Sequence, residues 1–186
     1  MTVTPTNLFS VPLTRMQTLL AAVAAFQTWV GADDAAEAAE AIHLVDFDEP
    51  DRASMTDAEY RAARALQRPL AIVGFEPGME ASEDSADPVY MYHAGSLTVL
   101  LEEIAQNENG VATGDNPVTD RDAIVHLMNV AGAILEGIEA ANGRDGYLKV
   151  IGWTHTEGPG RMHPDDVAAG ELDIATVKMQ IRWAEI

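Results

Sequence analysis

No cysteine occurs among the 186 residues, which excludes a disulfide framework, a thiolate nucleophile and any cysteine-ligated zinc or iron–sulfur centre. Basic residues are scarce. Eleven Lys and Arg stand against 30 Asp and Glu, a formal charge of -19. Such a chain repels phosphate backbones instead of releasing their counterions, so sequence-reading DNA binding is not expected. No apolar run approaches the roughly 18 residues of a membrane span. The opening MTVTPTNLFSVPLTR lacks a basic region followed by an apolar core, so no secretory signal is expected either. A GxxxxGK(S/T) loop, a GxGxxG opening a helix after a strand, and a GxSxG elbow are all missing. What remains is a globular chain with 47% hydrophobic residues, of a length suited to one domain over residues 1–186 and to action in the cytosol.

The apolar periodicity predicts a helix from Arg15 to Val30, capped by Thr14 with Gln17 reaching back, and stopped at Gly31. Its stripe is Met16, Leu19, Leu20, Val23, Phe26 and Val30. The alanine-rich DDAAEAAEA that follows reads as a solvated extension, and Ile42 to Phe47 as a short strand. Asp48 to Gln67 is a polar excursion whose Thr56-Asp57-Ala58-Glu59 starts a short helix. Leu70 to Phe75 is β-branched and bounded by Pro77-Gly78, hence a strand. Met79 to Pro88 reads as an acidic loop. Val89 to Glu103 alternates as a longer strand, with a bulge expected at Gly95.

Gln106 to Val118 is rich in turn residues and reads as a surface loop. The strongest helix runs from a Thr119 cap to Ala141, with Ile124, Leu127, Ala131, Ile134 and Ile138 on one face. Gly132 and Gly137 weaken it; a close approach to a sheet would account for them, and so would ordinary sequence drift. Tyr147 to His155 and Ala175 to Trp183 alternate as a final β pair, separated by a long loop from Thr156 to Glu171. The strands and helices do not alternate regularly. The expected fold is therefore α+β: a mostly antiparallel sheet covered on one face by helices, with an N-terminal helix and one long helix before two C-terminal strands.

Chemistry-bearing groups cluster once. His155, Glu157, His163, Asp165 and Asp166 fall within HTEGPGRMHPDD, and imidazoles with carboxylates ligate zinc, manganese or iron. Their spacing fits no metalloenzyme motif, the segment is glycine-rich, and a solvated polar loop is the simpler account, so no catalytic, cofactor or metal residue is assigned. His43, His93 and His126 lie in periodic segments, where hydrogen-bonded structural histidines are the rule. A small metal-dependent enzyme using the His155–His163 loop and an unrelated acidic binding module remain the alternatives.

The order of elements, with Arg68-Pro69-Leu70-Ala71-Ile72-Val73, Gly95-Ser96-Leu97-Thr98-Val99-Leu100-Leu101-Glu102, Tyr147-Leu148-Lys149-Val150-Ile151 and Val177-Lys178-Met179-Gln180-Ile181-Arg182-Trp183, resembles the tail terminator, or tail completion, proteins of long-tailed bacteriophages and prophages. The likeness is one of pattern over most of the chain, with residues 48–67 and 79–88 as insertions beyond a compact member. It implies a non-enzymatic virion protein that forms a ring, commonly a hexamer. Such a ring caps the tail tube protein and joins it to head-completion or neck proteins. DNA would pass through the lumen without specific binding, and no membrane or cofactor is involved. Because cations are scarce, Arg161, Lys178 and Arg182 are the expected subunit-interface residues, set against Asp165-Asp166 or the 79–88 segment.

Overall fold

The computed structural model describes residues 10–45, 48, 50–75, 80–83, 91–104, 120–141, 148–161 and 174–185. The chain begins with three helices, α1 (Ser10–Ala21), α2 (Ala24–Val30) and α3 (Ala35–Glu40), and a short strand β1 (Ile42–Leu44). A single 3-10 turn at Arg52–Ser54 precedes α4 (Asp57–Leu66). Strands β2 (Leu70–Phe75), β3 (Glu80–Glu83) and β4 (Met91–Ile104) follow, then α5 (Asp120–Ala141), β5 (Leu148–Arg161) and β6 (Ile174–Glu185).

The sheet runs β1-β2-β4-β6-β5, with β3 on the same edge of β4 that β2 occupies further along. Only β1 and β2 are parallel; the other pairings are antiparallel. Three rungs cross its centre: Ala71–Leu101–Val177, Val73–Val99–Met179 and Phe75–Leu97–Ile181. Eight of those nine side chains are buried, and Phe75 packs partly exposed against them. Because side chains alternate across a strand, this single face takes the helices. α1 packs on β1 and β2, α5 packs on β5 and β6, and Met16, Leu20, Phe26, Leu127, Ile134 and Ile138 complete the core. The fold is α+β, a mostly antiparallel sheet with α5 immediately before the two C-terminal strands.

Several local expectations change. The first helix starts at Ser10, so Thr14 lies inside it and accepts a bond from Thr18 Oγ1 at 2.9 Å. Pro12 sits in the first turn, where its missing N–H has no intrahelical partner to lose. The apolar stripe is continuous, yet the backbone breaks before α2, with Val23 extended (φ -77°, ψ 118°). Gln27 Nε2 spans the break by donating to Ala21 O at 2.8 Å. The acidic extension contains α3, because Asp34 accepts bonds from the Ala36 and Glu37 amides and Glu37 Oε2 accepts from Asp33 N. A strand, β3, replaces part of the expected 79–88 loop. Pairing with β6 is continuous through Gly95, so no bulge forms there. The bulges occur in β5 instead, between Val150 and Gly152, His155 and Glu157, and Glu157 and Gly160.

The two helix glycines differ. A Cβ at Gly137 would collide with Val23 at the α1–α2 break, so its close approach is to a helix junction and not to the sheet. At Gly132 nothing lies within 4 Å, and the sheet explains neither residue. Capping of α4 follows expectation: Thr56 Oγ1 accepts from Glu59 N, while Glu59 Oε2 accepts from Thr56 N at 2.9 Å.

Candidate functional site

The basic residues expected at an interface lie on the last two strands but spread along them, Arg161 beside the start of β6 and Arg182 near its end. Arg161 is the last residue of β5, in register with Ala175. Lys178 stands in register with Leu100 of β4 and Glu157 of β5, and Arg182 with Ser96 and Gly152. Lys178 and Arg182 alternate with buried Val177, Met179 and Ile181, which puts both on the face turned away from the helices. Arg182 is exposed there and Lys178 half-buried. Asp165, Asp166 and His163 lie outside the described residues.

Residues 156–161, expected at the start of a long loop, belong to β5. β5 continues through Arg161, so His155 and Glu157 are ladder residues in register with Met179 and Lys178. The alternation that signals a strand is scrambled across this stretch by three bulges, which shift inward and outward positions. His155 and Glu157 therefore lie in a strand, while Met162 to Asp166 are outside the described residues. Among the described residues, no group of three His, Asp or Glu side chains could hold a metal ion.

Two consecutive glutamates in β4 form the buried polar centre that the sequence reading passed over. Glu102 is on the outer face, in register with Leu70 and Thr176, and binds Arg68 Nη2 at 2.8 Å. Both side chains are buried, 0% exposed for Arg68 and 3% for Glu102. Arg68 Nη1 also donates to Arg64 O, so the guanidinium is fixed at the entrance to β2. Glu103 is turned to the core and fully buried. Its Oε2 accepts from Trp29 Nε1 at 2.7 Å and lies 3.4 Å from His126 Nε2, while Oε1 has no hydrogen-bond partner among the described residues.

Burial pushes the Glu103 carboxyl above the usual carboxylate range, against the Trp29 hydrogen bond and the nearby His126. Through Trp29 on α2 and His126 on α5, this carboxyl ties both helices to β4. The signal was the alternation itself: Leu97, Val99 and Leu101 point inward, so Glu103 must follow them. His126 is thus the hydrogen-bonded structural histidine expected of a periodic segment. His43 is half-buried on β1, and desolvation lowers its pKa.

The chain matches no protein-family model. No curated protein sequence matches it either. Among the described residues, no helix is long and apolar enough to cross a membrane.

Proposed function

We propose that this protein is a phage tail terminator: a structural, non-enzymatic subunit that assembles into a ring, caps the tail tube and meets the head-completion or neck proteins. The observation that carries the reading is the one-sided layering. Helices α1, α2, α3 and α5 share the core with one face of the sheet, and the sheet ends in two unlike edges, a three-residue parallel β1 and a 14-residue β5 of irregular register. A closed ring uses heterologous contacts, which require two unlike surfaces on each subunit.

Both edges are blunted against indiscriminate strand addition. β1 has three residues, and the carbonyl of Ile42 accepts the Gln17 amide at 3.4 Å. β5 carries its three bulges. Contacts between subunits are therefore made by side chains and loops, and among acidic subunits they need a cation set against an acidic patch. A net charge of -19 suits a conduit through which DNA slides without adsorbing.

The experiment is particle mass in solution followed by negative-stain imaging, for the unmodified protein and for Arg161→Glu with Arg182→Glu. The unmodified protein forms rings; the double variant remains folded but loses ring formation or tail attachment. A chain that stays monomeric at high concentration and beside tube subunits overturns the reading. A double variant that assembles normally overturns only the interface assignment.

A further inference from the structure

At the β1 end of the sheet, opposite the edge that holds Arg161, lies an open cleft of about 370 Å³. Its walls are the last residues of three helices: Val30 and Ala32 after α2, Glu40 and Ala41 after α3, and Leu66 and Gln67 after α4. The final turn of a helix exposes carbonyl oxygens and carries partial negative charge, which favours cations. α4 has Arg64 in its last turn and its Arg64 carbonyl accepts from Arg68 Nη1, but neither α2 nor α3 has a basic residue there to compensate.

Side-chain charge adds to that field. Glu37 and Glu40 line the cleft. Arg68 lines it as well, but its guanidinium is already matched by Glu102 at 2.8 Å. Burial lowers the pKa of His43. The cleft therefore holds an excess of negative charge among its lining groups. On its lip stands Leu66, 89% exposed, a large apolar side chain that a bound partner would cover.

We propose that this cleft receives an arginine side chain from the β5–β6 end of a second copy of the protein. The inference rests on the ring reading and specifies its contact. In a head-to-tail ring the β1 end of one subunit meets the β5 end of the next, where Arg161 closes β5 and Arg182 is exposed on β6. A guanidinium suits the pocket because it is weakly hydrated and forks between several acceptors, and its aliphatic stem packs on an apolar lip. In a chain with 11 basic and 30 acidic residues, such a contact also sets the register of the ring, since other alignments bring carboxylates together.

Sedimentation equilibrium tests this on full-length variants whose folding is checked by circular dichroism. Glu40 is chosen over Glu37, whose carboxylate bonds the Asp33 amide. Glu40→Arg weakens self-association about tenfold or more, and Leu66→Ser weakens it without altering charge. Adding Arg161→Glu or Arg182→Glu to Glu40→Arg restores association, because the pair is then reversed across each interface. If the unmodified chain associates and Glu40→Arg associates equally well, the cleft contact is wrong while the ring reading stands. If Glu40→Arg weakens assembly and neither reversal rescues it, the cation comes from elsewhere and the second-copy assignment is overturned. If the unmodified chain does not associate even at high concentration and beside tube subunits, the ring reading and the contact fall together.

Discussion

Trp29 Nε1 donates a 2.7 Å hydrogen bond to Glu103 Oε2, joining the second helix to a carboxyl that the sheet turns into the core. Since the other carboxyl oxygen has no partner among the described residues, this glutamate is held at a cost that its charge state controls. Burial raises its pKa in the folded protein, so the stability it contributes is complete below the ordinary carboxylate range and is lost as pH rises through the folded value.

Glu103→Gln keeps an acceptor for Trp29 and stays neutral. The variant's advantage in melting temperature over the unmodified protein should therefore grow as pH is raised from about 4 to about 8. A variant that is less stable at neutral pH would mean that the Trp29 bond and His126 outweigh desolvation.

Breaking the outer pair has a different signature. Glu102→Gln leaves the Arg68 guanidinium buried without its 2.8 Å counter-charge and should cost about 3–5 kcal/mol. Replacing both, Arg68→Met with Glu102→Leu, should recover most of that loss. Urea unfolding of the two variants measures it, and a double replacement no more stable than Glu102→Gln would show that the two residues act separately.

The glycines of α5 should respond with opposite signs. Gly132→Ala places a methyl in open space and should stabilise by about 0.5–1 kcal/mol through helix propensity. Gly137→Ala drives a methyl into Val23 and should destabilise by about 1–3 kcal/mol. Val23→Ala should relieve part of the second penalty, and a thermal-melt cycle over the four variants reads the coupling.

Ile134 and Val177 are both fully buried where α5 meets the central rungs. Aspartate at either position puts an unpaired carboxylate in the core at a cost of several kcal/mol, comparable with a whole domain's stability. Neither variant should yield folded soluble protein by circular dichroism. A folded product would displace the core from this layer.

Much of the layered architecture was legible from periodicity. Alternating Val177, Met179 and Ile181 marked β6, Leu97, Val99 and Leu101 marked β4, and the 3.6-residue stripe with Gly31 and the helix-favouring Thr56-Asp57-Ala58-Glu59 marked helices, because these signals depend on neighbours along the chain. The same alternation placed Lys178 and Arg182 together on the outer face, and one more step of it reaches Glu103. The break at Val23 was not legible, since an uninterrupted stripe carries no sign of it and the extended residue meets Gly137 more than a hundred positions away. Nor was the bulged continuation of β5 through Arg161, where irregular pairing erases the period. The cleft is the clearest case: it exists only because the ends of α2, α3 and α4 converge beside β1. Sequence determines which residues can be helical or apolar; the meeting of three helix ends is decided by long-range packing that local propensity does not encode.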